Sequence, residues 1–200
     1  MIHPIETESY RILGTRVDLS HLDPGPRAVV ERVIHASADP EYATSTVVGA
    51  AAVDAGVRAL RAGAPVLCDV EMVRSGIRVV ATECLLAGNA SADPDGATRA
   101  ALGMRAAAAA HPTGAVVVVG CAPTALDEVL DLAGRGVFAP ALVVGMPVGF
   151  VGAAASKARL RASGLPAISN VGEKGGSAVA AAAVNALVRL AARSSEGNAS

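Results

Sequence analysis

Two hundred residues are enough to bury a core of ordinary size, and 52% of them are hydrophobic. Aromatic residues make up only 2%, with no tryptophan, so the chain lacks the rings on which single-stranded nucleic acid stacks. A net charge of −1, from 17 basic and 18 acidic residues, argues equally against a basic face for duplex nucleic acid or an anionic membrane.

The opening "MIHPIETESY" lacks the basic and then apolar layout of a secretory signal. The first third reads as helices. Asp23 and Pro24 suit the cap and first turn of a helix running to Ala38, with Val29, Val30, Val33 and Ile34 on one apolar stripe. A second helix is expected over Glu41 to Arg61, starting near Thr44 or Ser45 and stopped at Gly63. Short apolar runs then alternate with helical ones. Strands are predicted at Ala64 to Val70 and Ile77 to Leu86, a loop at Gly88 to Gly96, and a helix from Ala97 that His111-Pro112 ends. A strand over Ala115 to Gly120 leads into a helix over Ala122 to Leu132, and one over Ala141 to Gly145 into a helix over Ala153 to Ala162. A last strand, Pro166 to Val171, precedes a helix over Gly176 to Ala192. A single domain over 1–192 and a disordered tail over 193–200, "RSSEGNAS", complete the expectation.

Residues 136–156 form an uncharged stretch as long as a membrane span. Gly136, Pro140, Gly145, Pro147, Gly149 and Gly152 punctuate it too heavily for one helix, so a buried strand, a loop and a helix start are expected instead. Unalternated apolar strands separated by helices predict an α/β protein with a mainly parallel, Rossmann-like sheet covered by helices on both faces. Ligands of such sheets collect at the strands' carboxyl ends. The turns there are "DVEMVRSG", "GCAPTAL", "GMPVGFVG" and "NVGEKGGS".

"GEKGGSA" (172–178) departs from the phosphate-loop pattern because Lys174 precedes the glycine pair, though its N–H groups suit any anion. The glycines of "GMPVGFVG" are spaced 4 and 3, not 2 and 3 as in the dinucleotide fingerprint. Asp69, Glu71 and Glu83 are carboxylates for metal or acid–base work, or for bonds to loop backbone and Arg74. Ser9, Ser75 and Ser177 belong to no nucleophile elbow. Cys68, Cys84 and Cys121 form no C-x-x-C pair, which fits a reducing cytoplasm.

Four histidines remain. His3 and His21 fall in loops, and His111 suits a helix end. His35 closes an apolar stripe in "ERVIHASADPEY" and shares a helix face with Arg32. It either answers the negative end of the helix dipole or donates a proton at the mouth of a site, where Arg32 would receive an acidic ligand.

"VIHASAD", "APVLCDVEMVRSGI", "APTALDEVL", "VVGMPVGFVGAAASK" and "GGSAVAAAAVNAL", in this order, resemble the precorrin-8X methylmutase family, from about Ile5 to Leu190. The resemblance implies an isomerase of corrin biosynthesis. It moves a methyl group on ring C of a tetrapyrrole from an α-carbon to the adjacent β-carbon by a 1,5-sigmatropic shift, yielding hydrogenobyrinic acid. It implies a homodimeric α/β protein in which neither metal nor nucleotide performs the chemistry. His35 matches the family's catalytic histidine, thought to protonate the ring C nitrogen; Ser9, Arg32 and Arg99 match positions expected to contact substrate. The neighbouring enzyme of the pathway is a further candidate partner, for product transfer. Cys121 stands where many relatives carry asparagine, Ala155 where many carry glutamate, and "GEKGGSA" where "GRLGGSA" is common. A tetrapyrrole carrier without turnover and a nucleotide-binding α/β module are the competing readings. The carrier has no need of a proton donor, and the module lacks its fingerprint.

Overall fold

The computed structural model describes residues 3–78, 80–86 and 96–196, without the side chains of 194–196. Helix α1 (Pro4–Arg16) starts at His3, whose Nδ1 accepts the N–H of Ile5 at 3.3 Å. Helix α2 (Pro24–Ser37) buries the predicted stripe and ends where Ala38 turns left-handed, at φ 53°. Asp23 holds the cap position of α2 but its side chain makes no capping bond.

The single helix expected over Glu41 to Arg61 is instead three elements: α3 (Tyr42–Ser45), β1 (Thr46–Val48) and α4 (Ala50–Arg61). Thr46, Val47 and Val48 are all β-branched and favour extended backbone. Pairing with the last strand then overrides the helical period.

Next come β2 (Val66–Cys68), α5 (Glu71–Gly76) and β3 (Thr82–Glu83). The strand expected over Ile77 to Leu86 is reduced to Thr82 and Glu83 among the described residues; Val79 lies outside them, as does most of the expected loop, 87–95. As the last strand in the sheet order, β3 has only Val66 and Leu67 of β2 to pair with. Then follow α6 (Arg99–Ala110), β4 (Val116–Val119), α7 (Pro123–Gly134), β5 (Leu142–Gly145), α8 (Ala153–Ala162), β6 (Ala167–Asn170) and α9 (Ser177–Glu196). Helix α9 thus runs through Arg193–Glu196, where the tail was expected to begin, because its helical hydrogen bonding continues beyond its apolar face. Residues 197–200 lie outside the described part.

The sheet order is β1-β6-β5-β4-β2-β3, parallel except for β1, which runs antiparallel to β6. The sheet is covered on both faces. Val116 and Val118 of β4 pack with Val29, Val33 and Leu187 of α2 and α9. Val117 and Val119 point the other way, to Met104, Leu126 and Leu160 of α6, α7 and α8. All four valines are fully buried, each stabilising the fold by about 1.5–3 kcal/mol. This two-sided burial explains why the strand reads as an unbroken apolar run.

Small residues allow close layers. A Cβ on Gly145 would lie 2.4 Å from Leu160 Cδ2, and one on Gly175 only 2.3 Å from the carbonyl oxygen of Met146. The loops after β5 and β6 therefore interlock: Gly176 N–H donates to Met146 C=O at 2.8 Å and Gly149 N–H to Glu173 C=O at 3.1 Å. Beneath them Lys157 is fully buried, its ammonium donating to Asn170 Oδ1 at 3.2 Å and to the carbonyl of Lys174. Burial pushes the Lys157 pKa down to about 8. Among the described residues no helix is long and apolar enough to cross a membrane; residues 136–156 supply β5, a loop and the start of α8.

Candidate functional site

The carboxyl edge of the sheet carries several polar groups, and most of them are already committed to structure. Asp69, just after β2, is buried and accepts backbone N–H bonds from Gly120 (3.1 Å), Cys121 (2.8 Å) and Ala122 (2.8 Å). Burial pushes its carboxyl pKa up, and the three donors oppose that push. Glu71 pairs with Arg74 at 2.6 Å; Glu83 pairs with His111 Nε2 at 3.0 Å, at the opposite, amino end of the strands beside Ala64 and Pro65. These are the loop-holding roles weighed above against metal or acid–base chemistry. Among the described residues no three His, Cys, Asp or Glu side chains are grouped to hold a metal ion.

The glycine loop after β6 is also tied down. Lys174 Nζ pairs with Asp39 and Glu41, both at 2.7 Å, joining this loop to the chain just beyond α2. That link brings the end of α2, and His35 with it, to the carboxyl edge.

His35 lies in the last turn of α2. Its Nδ1 is 2.7 Å from Ser9 Oγ on α1, and its ring stacks on Tyr10 with centroids 5.1 Å apart and planes 15° from parallel. Ser9 and Tyr10 are adjacent on α1, so one helix clamps the imidazole by its edge and its face. A hydroxyl at Nδ1 fixes the ring's orientation and leaves Nε2 as the nitrogen for a ligand. Nε2 has no hydrogen-bond partner among the described residues. A cavity of about 100 Å³ opens beside His35, lined also by Ser9, Leu13, Arg16, Ile34 and Pro40.

Arg32 sits one turn before His35 and donates to Glu6 of α1 at 2.7 Å. Glu6 also accepts from Arg189 of α9, again at 2.7 Å. Partial burial and the neighbouring Arg32 charge push the His35 pKa below the ordinary imidazole value; Glu6 pulls it up and Arg189 pushes it down. Without ligand the ring therefore favours its neutral form at neutral pH. A second cavity of about 190 Å³ lies among Tyr10, Glu31, Arg32, Arg189 and Arg193.

Of the four positions singled out in the sequence, Ser9, Arg32 and His35 come together at the α1–α2 contact. Arg99 does not join them within the chain. It opens α6 on the other face of the sheet, where its neighbour Thr98 bonds Thr124 at the start of α7 at 2.7 Å. Sequence reasoning missed Tyr10, Glu6 and Arg189. The only local signal for Arg189 is its place in an apolar helix, one turn after Asn185.

Fold and site together define a class: a doubly covered α/β protein with one clamped histidine among arginines, fit for acid–base chemistry on an anionic ligand. The family model of precorrin-8X methylmutase matches residues 4–190. The cobalt-precorrin-8 methylmutase of Methanothermobacter thermautotrophicus is 44% identical over 176 residues, covering 86% of this chain and 84% of that protein. The precorrin-8X methylmutase of Pseudomonas aeruginosa is 39% identical over 194 residues, covering 92% and 93%. A crystal structure of precorrin-8X methylmutase from Thermus thermophilus matches with a TM-score of 0.85 at 38% identity, covering 95% and 96%. This chain belongs to the precorrin-8X methylmutase family, isomerases of cobalamin biosynthesis.

Proposed function

We propose that the protein moves the ring C methyl group of precorrin-8X, or of its cobalt-bearing counterpart, to the adjacent carbon, with His35 lending a proton. The observation that carries this reading is the His35 clamp: Nδ1 held by Ser9, the ring backed by Tyr10, Nε2 without a partner among the described residues, and a cavity beside the residue. A proton placed on the ring C nitrogen withdraws electrons from the migrating carbon's neighbourhood; after the shift the same proton returns to the histidine. No bond to the protein forms. The chain's task is to hold one conformer and deliver one proton. Incubation with precorrin-8X, followed by visible absorbance, tests the reading: a corrin-type spectrum is expected, and an unchanged spectrum would refute it.

The ligand's acetate and propionate groups need cations. Arg32 supplies one beside His35, and Arg99 stands at the same carboxyl edge on the other face, for a large flat ring laid across that edge. Arg32→Ala or Arg99→Ala is expected to weaken hydrogenobyrinic acid binding by about 1.5–3 kcal/mol each. Unchanged affinity in both would remove them from the site.

The cavity beside His35, about 100 Å³, is far too small to enclose a tetrapyrrole, whose pocket would fall in a range of roughly 300–1,000 Å³. A second copy of the chain would supply the missing wall. Phe150 and Val151, 91% and 89% exposed on the loop after β5, suit such a contact. We expect a homodimer in sedimentation at micromolar concentration; a monomer there would count against it. The cytoplasm is the compartment we infer, in keeping with three free cysteines, Cys68, Cys84 and Cys121.

A further inference from the structure

We propose that Arg78, Asn185 and Arg189 complete, around Arg32, a subsite for one peripheral carboxylate of the ligand, with Glu6 as its resident competitor. The proposal rests on the functional reading above. Arg32 of α2, Arg78 beyond α5, and Asn185 and Arg189 of α9 line one cavity of about 280 Å³. Three segments distant in sequence thus bring three guanidinium groups to one place. Such a gathering of like charge costs energy unless an anion answers it. Among the described residues the one carboxylate paired with any of the three is Glu6, at 2.7 Å from both Arg32 and Arg189. Arg78 has no ion-pair partner among the described residues.

Two orphaned atoms mark the place, and one of them, a donor, calls for an anion. Arg32 Nε is buried and donates to nothing among the described residues, and Asn185 Oδ1 is buried and accepts nothing. Asn185 Nδ2 donates to the carbonyl of Gly76 at 2.9 Å, which fixes the amide's orientation and leaves its oxygen turned from that bond. A buried donor without an acceptor is costly, so a site retaining one is shaped for a partner. A carboxylate entering the cavity accepts from Arg32 Nε and from Arg78, and displaces one of the two Glu6 bonds. Asn185 Oδ1 accepts from whichever guanidinium that displacement turns towards it. Because the same Arg32 lies one turn from His35, filling this cavity places an anion near the imidazole and raises its pKa.

Two experiments test this. First, Arg78→Ala and Arg189→Ala are titrated with hydrogenobyrinic acid beside the wild type. Each is expected to bind roughly tenfold to a hundredfold more weakly. Glu6→Gln, which frees both arginines, is expected to bind at least as tightly as wild type. If Arg189 served only to hold α1 through Glu6, Glu6→Gln would lose as much affinity as Arg189→Ala, and the subsite would be discarded; unchanged affinity in both arginine variants would discard it too. Second, arginine Nε–H nuclear magnetic resonance signals are followed during titration with propane-1,2,3-tricarboxylate, a probe that needs no tetrapyrrole. The Arg32, Arg78 and Arg189 signals are expected to shift together, and the Arg32 shift to shrink in Arg78→Ala. Static signals would remove the subsite even where the wild type converts precorrin-8X; shifting signals in a protein that does not convert it would keep the subsite and remove the isomerase reading.

Discussion

His35→Asn is expected to fold, bind product within a few-fold of wild type, and lose roughly 10²–10⁴-fold in turnover, the range a general acid supplies. Asparagine keeps a polar group within reach of Ser9, so the α1–α2 contact survives. It cannot lend a proton. The lost ring stack with Tyr10 should cost about 0.5–1.5 kcal/mol of stability. If His35 only answered the helix dipole, the variant would lose a comparable 0.3–1 kcal/mol or so of stability and keep near-normal turnover. Melting curves, product titration and rates on one preparation separate these outcomes. Retention of more than about a tenth of wild-type turnover would end the acid role.

The pH profile carries a second check on the same residue. An acid works below its pKa and fails above it. Burial and Arg32 depress the His35 pKa below its ordinary value in the free protein. The falling limb of kcat/KM, which reports the free enzyme, should therefore lie below pH 6.5, the ordinary histidine value. Ligand carboxylates oppose the arginine charges, so the limb of kcat should lie at higher pH. Stability follows the opposite sense. A depressed folded pKa means that the unfolded chain binds more protons, so the unliganded protein loses stability as pH falls below about 6.5. His35→Asn should remove that slope.

Asp69→Asn is expected to destabilise the fold by about 1–3 kcal/mol, a substantial part of the roughly 5–15 kcal/mol that holds an ordinary domain together. The cap position of α7, Ala122, has no side chain able to accept, and Pro123 follows it. Asp69 reaches across from the end of β2 and takes the N–H groups of Gly120, Cys121 and Ala122 on its two oxygens. Its charge also meets the positive end of α7. Asparagine offers one oxygen, and its NH2 must face at least one of those donors at a buried position. Urea unfolding with an unchanged m-value would measure the loss. A change below about 1 kcal/mol would show that the ionised carboxylate is not what holds this turn.

Much of this protein was legible in its sequence because local patterns decide local structure. The four consecutive valines of β4 announced a strand buried on both faces, and the stripe Val29, Val30, Val33, Ile34 announced the buried face of α2. The order of motifs from "VIHASAD" to "GGSAVAAAAVNAL" carried the family. The length of β3 and the fate of Thr46–Val48 were not legible. A strand exists only where a neighbour supplies hydrogen-bond partners, and β6, which pairs with β1, lies more than a hundred residues away. The candidate site divides along the same line. His35 and Arg32 share a helix face, so spacing alone joined them. Ser9 meets His35 across 26 residues, and Glu6 meets Arg189 across 183. Only the packing of α1 and α9 against α2 could bring those groups together, because side-chain contact over such separations depends on how whole helices fill space and not on any period within one of them.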